Sequence, residues 1–511
     1  MSNRHQHLNQ ALLRIPRRAE SADRNTLAAT YVAAGSFAAL LHSSDHQVLY
    51  GRRGTGKTHA LLHLAHLLTD TGEIPVYVDL RTIGSAGGLY ADSSQSAAVR
   101  GTHLLVDALE AVHDELLAVA VEQDVDDAGA LLGHLDALAE AATEVKVVGA
   151  VERETTVGGS AESGGDVEVS TTPKLTGSHR RSVTAQSRLL HSGVEQHHVL
   201  FGPLTRALRG VTRALGGTRL WLLLDEWSSI PRDLQPFLAD LLRRSVLPIG
   251  GITVKIAAIE RRSRFARPAG TGDYLGIEVG SDAASAVNLD ELLSLDHGRA
   301  KARAFFGQLF YNHVWVRLTS MIKDPPSDPE SFVDETFRRG GFAELVRAAE
   351  GVPRDAINIA ALAAQHAHDE PISVGDVRRA ARDWFLRDKQ TAIASNEPAR
   401  TLLRGLVDEV VGHRRSRTFV VDQLATERFG TLEDLHDARL LHLLRRGIAD
   451  PHHPGTQYDG FAVDYGCYVS LLIDDPKFHA RNRGDWLDKP TGVPPESFNL
   501  ARAAIDLDTL A

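Results

Sequence analysis

The chain has 511 residues, enough for about three domains of ordinary size. Hydrophobic residues make up 43% of it and charged residues 24%, which is typical of globular proteins with buried cores and argues against a disordered chain or a fibre. Its 56 basic and 66 acidic residues give a formal net charge of −10, which disfavours non-specific coating of nucleic acid but leaves room for a local basic face.

The N-terminal segment carries several arginines but lacks the apolar block of a secretory signal. We therefore expect a solvated leader over residues 1–35. No run reaches the roughly 18 consecutive apolar residues that a membrane-spanning helix requires. The single cysteine, Cys467, excludes an intramolecular disulfide, a thiolate zinc cluster and an iron–sulfur site. Together these features predict a cytoplasmic protein without membrane contact.

The first strong pattern is a short apolar run at residues 47–50, which predicts a β-strand. A glycine-rich loop follows, then leucines at helical spacing over residues 59–68, then a second buried strand at residues 75–80. Strand, loop, helix and strand in this order predict an α/β fold with a parallel sheet. The loop consists of Gly51, Arg52, Arg53, Gly54, Thr55, Gly56, Lys57 and Thr58.

This loop has the spacing of a P-loop. Its glycines let backbone N–H groups point into one concavity that cradles phosphate oxygens, and the helix N-terminus adds positive potential. Lys57 neutralises phosphate charge, and the Thr58 hydroxyl is a Mg²⁺ ligand. The alternative is a plain glycine-rich turn before a helix. The position between a strand and a helix favours a site for ATP and Mg²⁺.

A later apolar strand, residues 219–225, ends in Asp225 and Glu226. At the carboxyl edge of the sheet, Asp225 is placed to hold the Mg²⁺ water shell. Glu226 is placed to polarise the attacking water as general base. This glutamate disfavours a P-loop kinase, which phosphorylates a bound acceptor and needs no water-activating carboxylate. Further strands are predicted at residues 251–259 and 274–279, within a core that spans residues 36–297.

Too much chain lies between the second and third core strands for one crossover, so we place an insertion at about residues 85–216. Residues 102–122 and 127–143 have helical patterns. Residues 144–198 are rich in Gly, Ser, Thr and charge, with short β-like fragments such as residues 145–148. We expect this part to be partly β-hairpin and partly mobile.

The remainder of the chain is predicted to form two smaller domains and a tail. Helical patterns in a block at residues 298–392 predict a lid. Residues 397–473 have the order of a winged helix, with a helix to residue 413, a strand at 417–421 and helices at 422–429 and 432–446. The helix at 432–446 is closed by Gly447, two strands follow, and a polar tail covers residues 474–511.

The P-loop, the Asp225–Glu226 pair, the lid and the winged helix together resemble the AAA+ ATPases, and most closely the origin-recognition-complex class. The resemblance implies ATP and Mg²⁺ binding, hydrolysis and nucleotide-governed assembly. It also implies that Arg354, in Gly351-Val-Pro-Arg354-Asp355, is the sensor 2 arginine that touches the γ-phosphate. The segment Glu260–Phe265 resembles the region that holds sensor 1 and an arginine finger, with Arg264 or Arg262 as the finger. The alternatives are a solvated helix start and an exposed basic turn.

Some features depart from that class. Glu260 follows the strand predicted at residues 251–259, at the position where Asn, Ser or Thr usually serves as sensor 1. Trp227 and Ser228 follow Asp225-Glu226 where an acidic residue is common, and the insertion is unusually long. These departures weaken any inference of replication initiation.

The winged helix leaves DNA binding open. Its predicted recognition helix begins with the acidic residues Glu433 and Asp434, which suit the helix dipole but repel phosphates. A DNA face could instead come from Arg414, Arg415, Arg417, Arg439, Arg445 and Arg446, or these could pair with acids. We therefore expect an ATP-driven switch that self-associates or binds a partner and acts on DNA or on a DNA-acting protein. The alternative is a STAND-like signalling NTPase whose insertion and winged helix bind proteins.

Overall fold

The computed structural model describes most of the chain. The described residues are 2–32, 37–83, 96–122, 128–143, 145–148, 194–197, 201–268, 274–282, 285–290, 299–424, 430–450, 452–474 and 503–510. The helices are α1 Ser2–Leu13, α2 Arg24–Thr30, α3 Phe37–Leu41, α4 Lys57–Asp70, α5 Ala97–Glu122, α6 Ala128–Thr143, α7 Phe201–Ala214, α8 Gln235–Leu241, α9 Arg299–Met321, α10 Pro329–Thr336, α11 Gly341–Ala349, α12 Pro353–Ala367, α13 Val374–Trp384, α14 Glu397–Leu406, α15 Gly430–Asp437 and α16 Tyr465–Asp474. The strands are β1 Gln47–Tyr50, β2 Ile74–Asp79, β3 Val145–Val148, β4 Val194–His197, β5 Leu220–Asp225, β6 Ile252–Ala258, β7 Ala266–Pro268, β8 Tyr274–Gly276, β9 Ser285–Asn288, β10 Thr418–Asp422, β11 Leu441–Ala449 and β12 Gln457–Val463.

The chain divides into two compact units. The sheet unit consists of residues 43–49 and 64–287, and the P-loop unit consists of residues 1–42, 50–63 and 288–511. The domain boundaries predicted from the sequence remain predictions. Within the described ranges, no helix is both long and apolar enough to cross a membrane.

A five-stranded sheet forms the centre of the sheet unit, in the order β2-β5-β6-β1-β9. Strand β5 runs parallel to β2 on one side and to β6 on the other. Every residue of β5 is buried, because a parallel sheet covered by helices on both faces buries both sides of its central strands. The predicted α/β fold with a parallel sheet is confirmed.

The edge strand of this sheet is not the one that the sequence predicts. The fifth strand is β9, whereas residues 274–276 form β8, which pairs antiparallel with β7 in a separate two-stranded ribbon. A short apolar run fits the edge of the large sheet and a separate ribbon equally well. The pairing of β8 with β7 requires glycine at position 276, where φ is +119°, because a Cβ there would lie 1.9 Å from the carbonyl oxygen of Phe265.

The first parts of the predicted insertion are helical, as expected: α5 and α6 cover the predicted helices at 102–122 and 127–143. Helix α7 adds an apolar stripe that the sequence analysis did not identify, formed by Leu204, Ala207, Leu208 and Val211. The predicted strand at 145–148 is β3, and its antiparallel partner is β4, with Val148 opposite Val194. The remainder of residues 144–198 lies outside the described residues.

The core of the P-loop unit is formed by the lid helices, the winged helix and the N-terminal helix. Helix α1 buries Leu8, Ala11 and Leu12 in this core, together with Ile15 just beyond its end. The expected solvated leader is therefore wrong over this helix. The apolar residues recur at positions i, i+3, i+4 and i+7, so the segment carries the signal of an amphipathic helix among its arginines.

The C-terminal part contains a small antiparallel sheet in the order β10-β12-β11, consistent with a winged helix. The predicted helix at 432–446 is wrong beyond Asp437, because residues 441–449 form strand β11. Arg439 has φ +62°, a left-handed conformation that ends the helix. Gly447 is not a helix cap but lies at an irregularity in the pairing of β11 with β12.

Candidate functional site

The P-loop connects strand β1 to helix α4 as predicted. Gly54 and Gly56 have φ of +87° and +97°, which only glycine adopts without strain. The Thr55 hydroxyl donates to the Arg52 carbonyl at 2.9 Å, and the backbone N–H of Ala60 donates to the Gly56 carbonyl at 2.9 Å, within the first turn of α4. The loop thus leads into a helix N-terminus, where backbone N–H groups attract anions.

Lys57 is folded towards its own loop. Its ammonium donates to the carbonyls of Gly51 at 2.7 Å and Arg52 at 3.0 Å. The charge therefore lies against the backbone at the start of the loop. Thr58 lies in the first turn of the same helix, half-buried. This geometry suits a triphosphate with its metal ion, because the loop brings an ammonium, backbone N–H groups and a hydroxyl together.

The lid residue Arg354 lies directly against the P-loop. Its backbone N–H donates to the Gly54 carbonyl at 3.1 Å. A Cβ at Gly54 would lie 2.7 Å from the Cβ of Arg354, so glycine at this position permits the contact. Arg354 is the second residue of α12, which Pro353 begins. The structure thus brings the predicted sensor 2 residue and the P-loop together within one unit.

A cleft lies beside the P-loop within the P-loop unit. The first turn of α4, the N-terminal helices and the lid all contribute to its walls. Its lining is mainly apolar and aromatic, and consists of Tyr31, Val32, Phe37, Thr55, Gly56, His59, Ala60, Leu289, Phe305, Leu309 and Pro353. An apolar and aromatic lining of this kind suits a flat ligand. The sequence analysis did not identify the residues outside the P-loop, because they come from three distant parts of the chain.

Two of the cleft residues have shifted pKa values. Burial raises the pKa of Tyr31 to about 12, and the phenol stays protonated at physiological pH. Burial also lowers the pKa of His59, whose Nε2 lies 3.0 Å from the Leu27 carbonyl. The ring of Tyr31 stacks on that of His63 at 3.9 Å. The cleft therefore presents neutral, flat surfaces.

Asp225 and Glu226 belong to the sheet unit, at the end of β5. Asp225 has no exposed surface, and its carboxylate accepts from the Tyr77 hydroxyl at 2.9 Å and from the backbone N–H of Glu226 at 2.7 Å. Glu226 has φ +56°, a left-handed conformation that costs a non-glycine residue roughly 1 kcal/mol and is typical of functional sites. Its carboxylate is 30% exposed and lies 4.0 Å from the Arg81 guanidinium.

The predicted arginine-finger region follows β6 in the same unit. Residues Glu260–Arg262 form a short 3₁₀ turn. The backbone N–H of Arg264 donates to Gln235 at 2.6 Å, and its side chain is exposed. The Ser228 hydroxyl accepts from the backbone N–H of Ile259 at 2.7 Å, which joins the loops after β5 and β6. Trp227 and Ser228, the residues that depart from the origin-recognition class, thus brace this region.

Comparisons with known proteins find only distant structural likenesses. No family model matches the sequence, and no curated protein is significantly similar to it. The structure is similar to the Aeropyrum pernix Orc1 protein in complex with DNA, with a TM-score of 0.29 and 13% identity, over 93% of this chain and 97% of that one. It is also similar to a RuvB variant from Thermotoga maritima, with a TM-score of 0.33 and 10% identity, over 87% of this chain and 95% of that one. At these TM-scores neither likeness bears on function.

Proposed function

We propose that this chain is an ATP-dependent switch of AAA+ type, which binds ATP with Mg²⁺ and hydrolyses it. One observation carries the proposal. The loop from Gly51 to Thr58 joins a strand to a helix, and the backbone N–H of the lid residue Arg354 donates a hydrogen bond to the Gly54 carbonyl in this loop. A P-loop alone would support nucleotide binding. The added contact from the lid supports a switch, because it gives the lid a direct route to the bound phosphates.

The cleft beside the P-loop is the proposed site of the nucleobase. Its neutral aromatic walls suit a flat heterocycle, with Tyr31, Phe37 and Phe305 as the stacking surfaces. The P-loop amides and Lys57 would then bind the triphosphate. Arg354 would reach the terminal phosphate, with a guanidinium suited to bidentate contact with its oxygens.

Thr58 and Asp225 are the proposed metal ligands. A hydroxyl and a carboxylate are the oxygen donors that Mg²⁺ prefers, and the two bonds to the carboxylate of Asp225 fix its orientation. When bound, the ion would neutralise phosphate charge during transfer. Within the described residues, no group of three or more His, Cys, Asp or Glu side chains could hold a metal ion.

Glu226 is the proposed general base, and Arg264 is the proposed finger. Glu226 is partly exposed, as a residue that must reach a water molecule has to be. The exposed Arg264 would complete the site of a neighbouring copy, which is the reason we propose self-association.

A pair of variants tests the enzymatic proposal. Lys57→Ala should abolish binding of a fluorescent ATP analogue, because the triphosphate charge is left uncompensated. Glu226→Gln should bind the analogue as the wild type does but hydrolyse ATP at least about 100-fold more slowly, since only the base is lost. Equal loss of binding in both variants would mean that Glu226 is structural. Turnover would be measured as phosphate release at saturating ATP.

The winged helix has two candidate partners, DNA or a DNA-acting protein in one proposal and a signalling protein in the other. In the leading proposal the winged helix acts on DNA or on a DNA-acting protein. Helix α15, the proposed recognition helix, carries Glu433, Asp434 and Asp437 and has no Arg or Lys within its bounds. This observation favours the second candidate, a STAND-like signalling NTPase whose winged helix binds proteins, because an acidic helix is repelled by phosphates.

Four of the arginines predicted for the DNA face divide into two groups. Arg417 and Arg439 are buried in ion pairs with Glu350 and Asp355, so the predicted DNA face cannot include them. Arg445 and Arg446, on β11, are exposed. A salt-titrated DNA-binding assay with and without ATP separates the candidates. Binding that weakens steeply with salt supports the first, and no binding at low salt supports the second.

A further inference from the structure

The side chain of Arg52, in the P-loop, is held from two directions within the P-loop unit. Its Nε donates to Asp290 at 2.8 Å, and its backbone N–H donates to the other oxygen of the same carboxylate at 2.8 Å. Its Nη1 donates to Nδ1 of His442, on strand β11 of the winged helix. Arg52 is only 7% exposed. The winged helix thus contacts the nucleotide-binding loop itself.

The chemistry of this contact fixes the protonation of His442. A guanidinium can only donate, so Nδ1 must be the acceptor and the ring proton must be on Nε2. That proton points to Asp464, whose carboxylate lies 2.9 Å from Nε2. Burial and the charge of Arg52 lower the pKa of His442, which keeps the imidazole in this neutral form. The histidine therefore bridges an arginine and a carboxylate through its two nitrogens.

Further buried charged residues connect Asp464 to the N-terminus of α12. Asp464 accepts from Lys389 at 2.5 Å, and Lys389 lies 2.9 Å from Asp355. Asp355 also pairs with Arg439, which follows α15 in the winged helix. Asp355 is the neighbour of Arg354 in the chain. The winged helix therefore contacts both nucleotide-facing elements of this unit, the P-loop through His442 and the N-terminus of α12 through Arg439.

The position of Arg52 matters to the P-loop because its carbonyl is an acceptor for two loop side chains. The Lys57 ammonium and the Thr55 hydroxyl both donate to it. A displacement of Arg52 would therefore move the acceptors that position Lys57. Loss of a partner by a buried charged group is strongly destabilising, so a displaced Arg52 would need new partners.

We propose that His442 is a positioning residue through which the winged helix and the nucleotide site control each other. With the histidine in place, Arg52 is held and the P-loop keeps its shape. Movement of the winged helix releases Arg52 and changes nucleotide affinity, and nucleotide binding changes the stability of β11 by the same coupling free energy. This inference rests on the proposed binding of ATP by the P-loop.

Two variants separate the two bonds of the histidine. In His442→Asn the amide oxygen takes the place of Nδ1 and can accept from Arg52. In His442→Gln the amide nitrogen takes the place of Nε2 and can donate to Asp464, but the acceptor for Arg52 is lost. A matched control is Ala449→Ser, an exposed position on the same strand. The measurements are the affinity for a fluorescent ATP analogue and the hydrogen exchange of β11 amides with and without that analogue.

In the wild type, we expect the analogue to change exchange in β11 at least several-fold. His442→Asn and Ala449→Ser should keep this response. His442→Gln should lose most of it, and its affinity for the analogue should differ from that of the wild type by about fivefold or more. An equal response in all the proteins would overturn the proposal.

The wild type alone also provides a test that needs no variant. If it binds the analogue while exchange in β11 is unchanged, the coupling is absent and the proposal fails. If the wild type does not bind the analogue at all, the proposed ATPase function fails first. The two failures are therefore distinguishable.

Discussion

At the scale of single residues, a buried charged side chain, Lys255, makes contacts that the hydrophobic pattern of the sequence does not predict. Lys255 lies within β6 with no exposed surface. Its ammonium donates to the carbonyls of Ser43 at 2.7 Å and Asp45 at 2.9 Å, and to the side chain of Gln47 at 2.6 Å. These bonds join the segment before β1 to the sheet. The lysine thereby stabilises the start of the strand that leads to the P-loop.

Replacing Lys255 with Met should destabilise the protein by about 1–3 kcal/mol, because three acceptors, one of them the buried side chain of Gln47, lose their donor. The effect should also depend on pH. Burial lowers the pKa of Lys255 to about 7, below the value of about 10.4 in an unfolded chain. Between these values the unfolded state binds more protons, so this contribution to stability increases as the pH rises from 7 to 10.

The measurement is urea unfolding of both proteins at several pH values in that window. As the pH rises, the free energy of unfolding of the wild type should increase relative to that of Lys255→Met by at most about 1.4 kcal/mol per pH unit. A stability difference that stays constant with pH would show that the lysine keeps its ordinary proton affinity. A difference that shrinks as the pH rises would contradict the sign of the prediction.

At the scale of elements, the strands and helices around the P-loop could be predicted because local signals agree there. The apolar strand at 47–50, the glycines and the leucines of α4 all indicate the same arrangement. Strand β11 could not be predicted because the leucines at 440–444 fit a helix and a strand equally well. Its pairing with β12, and the left-handed Arg439, decide the outcome.

The contact between the P-loop and α12 can be tested with alanine at two glycines. Both Gly54 and Gly56 have positive φ, so alanine is strained at either position. At Gly54 the added Cβ would also meet Arg354 at 2.7 Å, whereas at Gly56 nothing described lies within 4 Å. Gly54→Ala should therefore lower the free energy of unfolding by roughly 1–3 kcal/mol more than Gly56→Ala does. The measurement is denaturant unfolding of both variants without nucleotide. Equal effects would mean that the packing against α12 is absent.

At the scale of the whole molecule, the sequence predicts which residue types form the site but not its distant contacts. The P-loop, Asp225, Glu226 and Arg354 belong to local motifs, so the sequence could predict them as residues of the candidate site. The bond between Arg52 and His442 joins residues 390 positions apart, and neither residue lies in a motif that indicates the other. The aromatic cleft likewise combines residues from three distant segments. Such contacts depend on tertiary packing, which no local pattern encodes.

The insertion gives a prediction at this scale. Strands β3 and β4 pair antiparallel with Val148 opposite Val194, so a two-residue Asn-Gly turn can join their ends. Replacing residues 149–193 with that turn should leave a soluble protein whose affinity for a fluorescent ATP analogue is within a few-fold of the wild type. The P-loop and its cleft lie in the P-loop unit, which contains none of the replaced residues. Partner binding or its regulation should weaken instead.

Affinity for the analogue and capture of a partner would be measured on the same preparations, with Lys57→Ala as the control that cannot bind nucleotide. A collapse of analogue affinity, or of soluble expression, would show that the replaced segment belongs to the ATPase core. Unchanged partner binding and regulation would show that the segment serves neither. Reduced partner binding with intact nucleotide binding would place the two functions in separate parts of the chain, as expected of a switch whose nucleotide site and partner surface communicate over a distance.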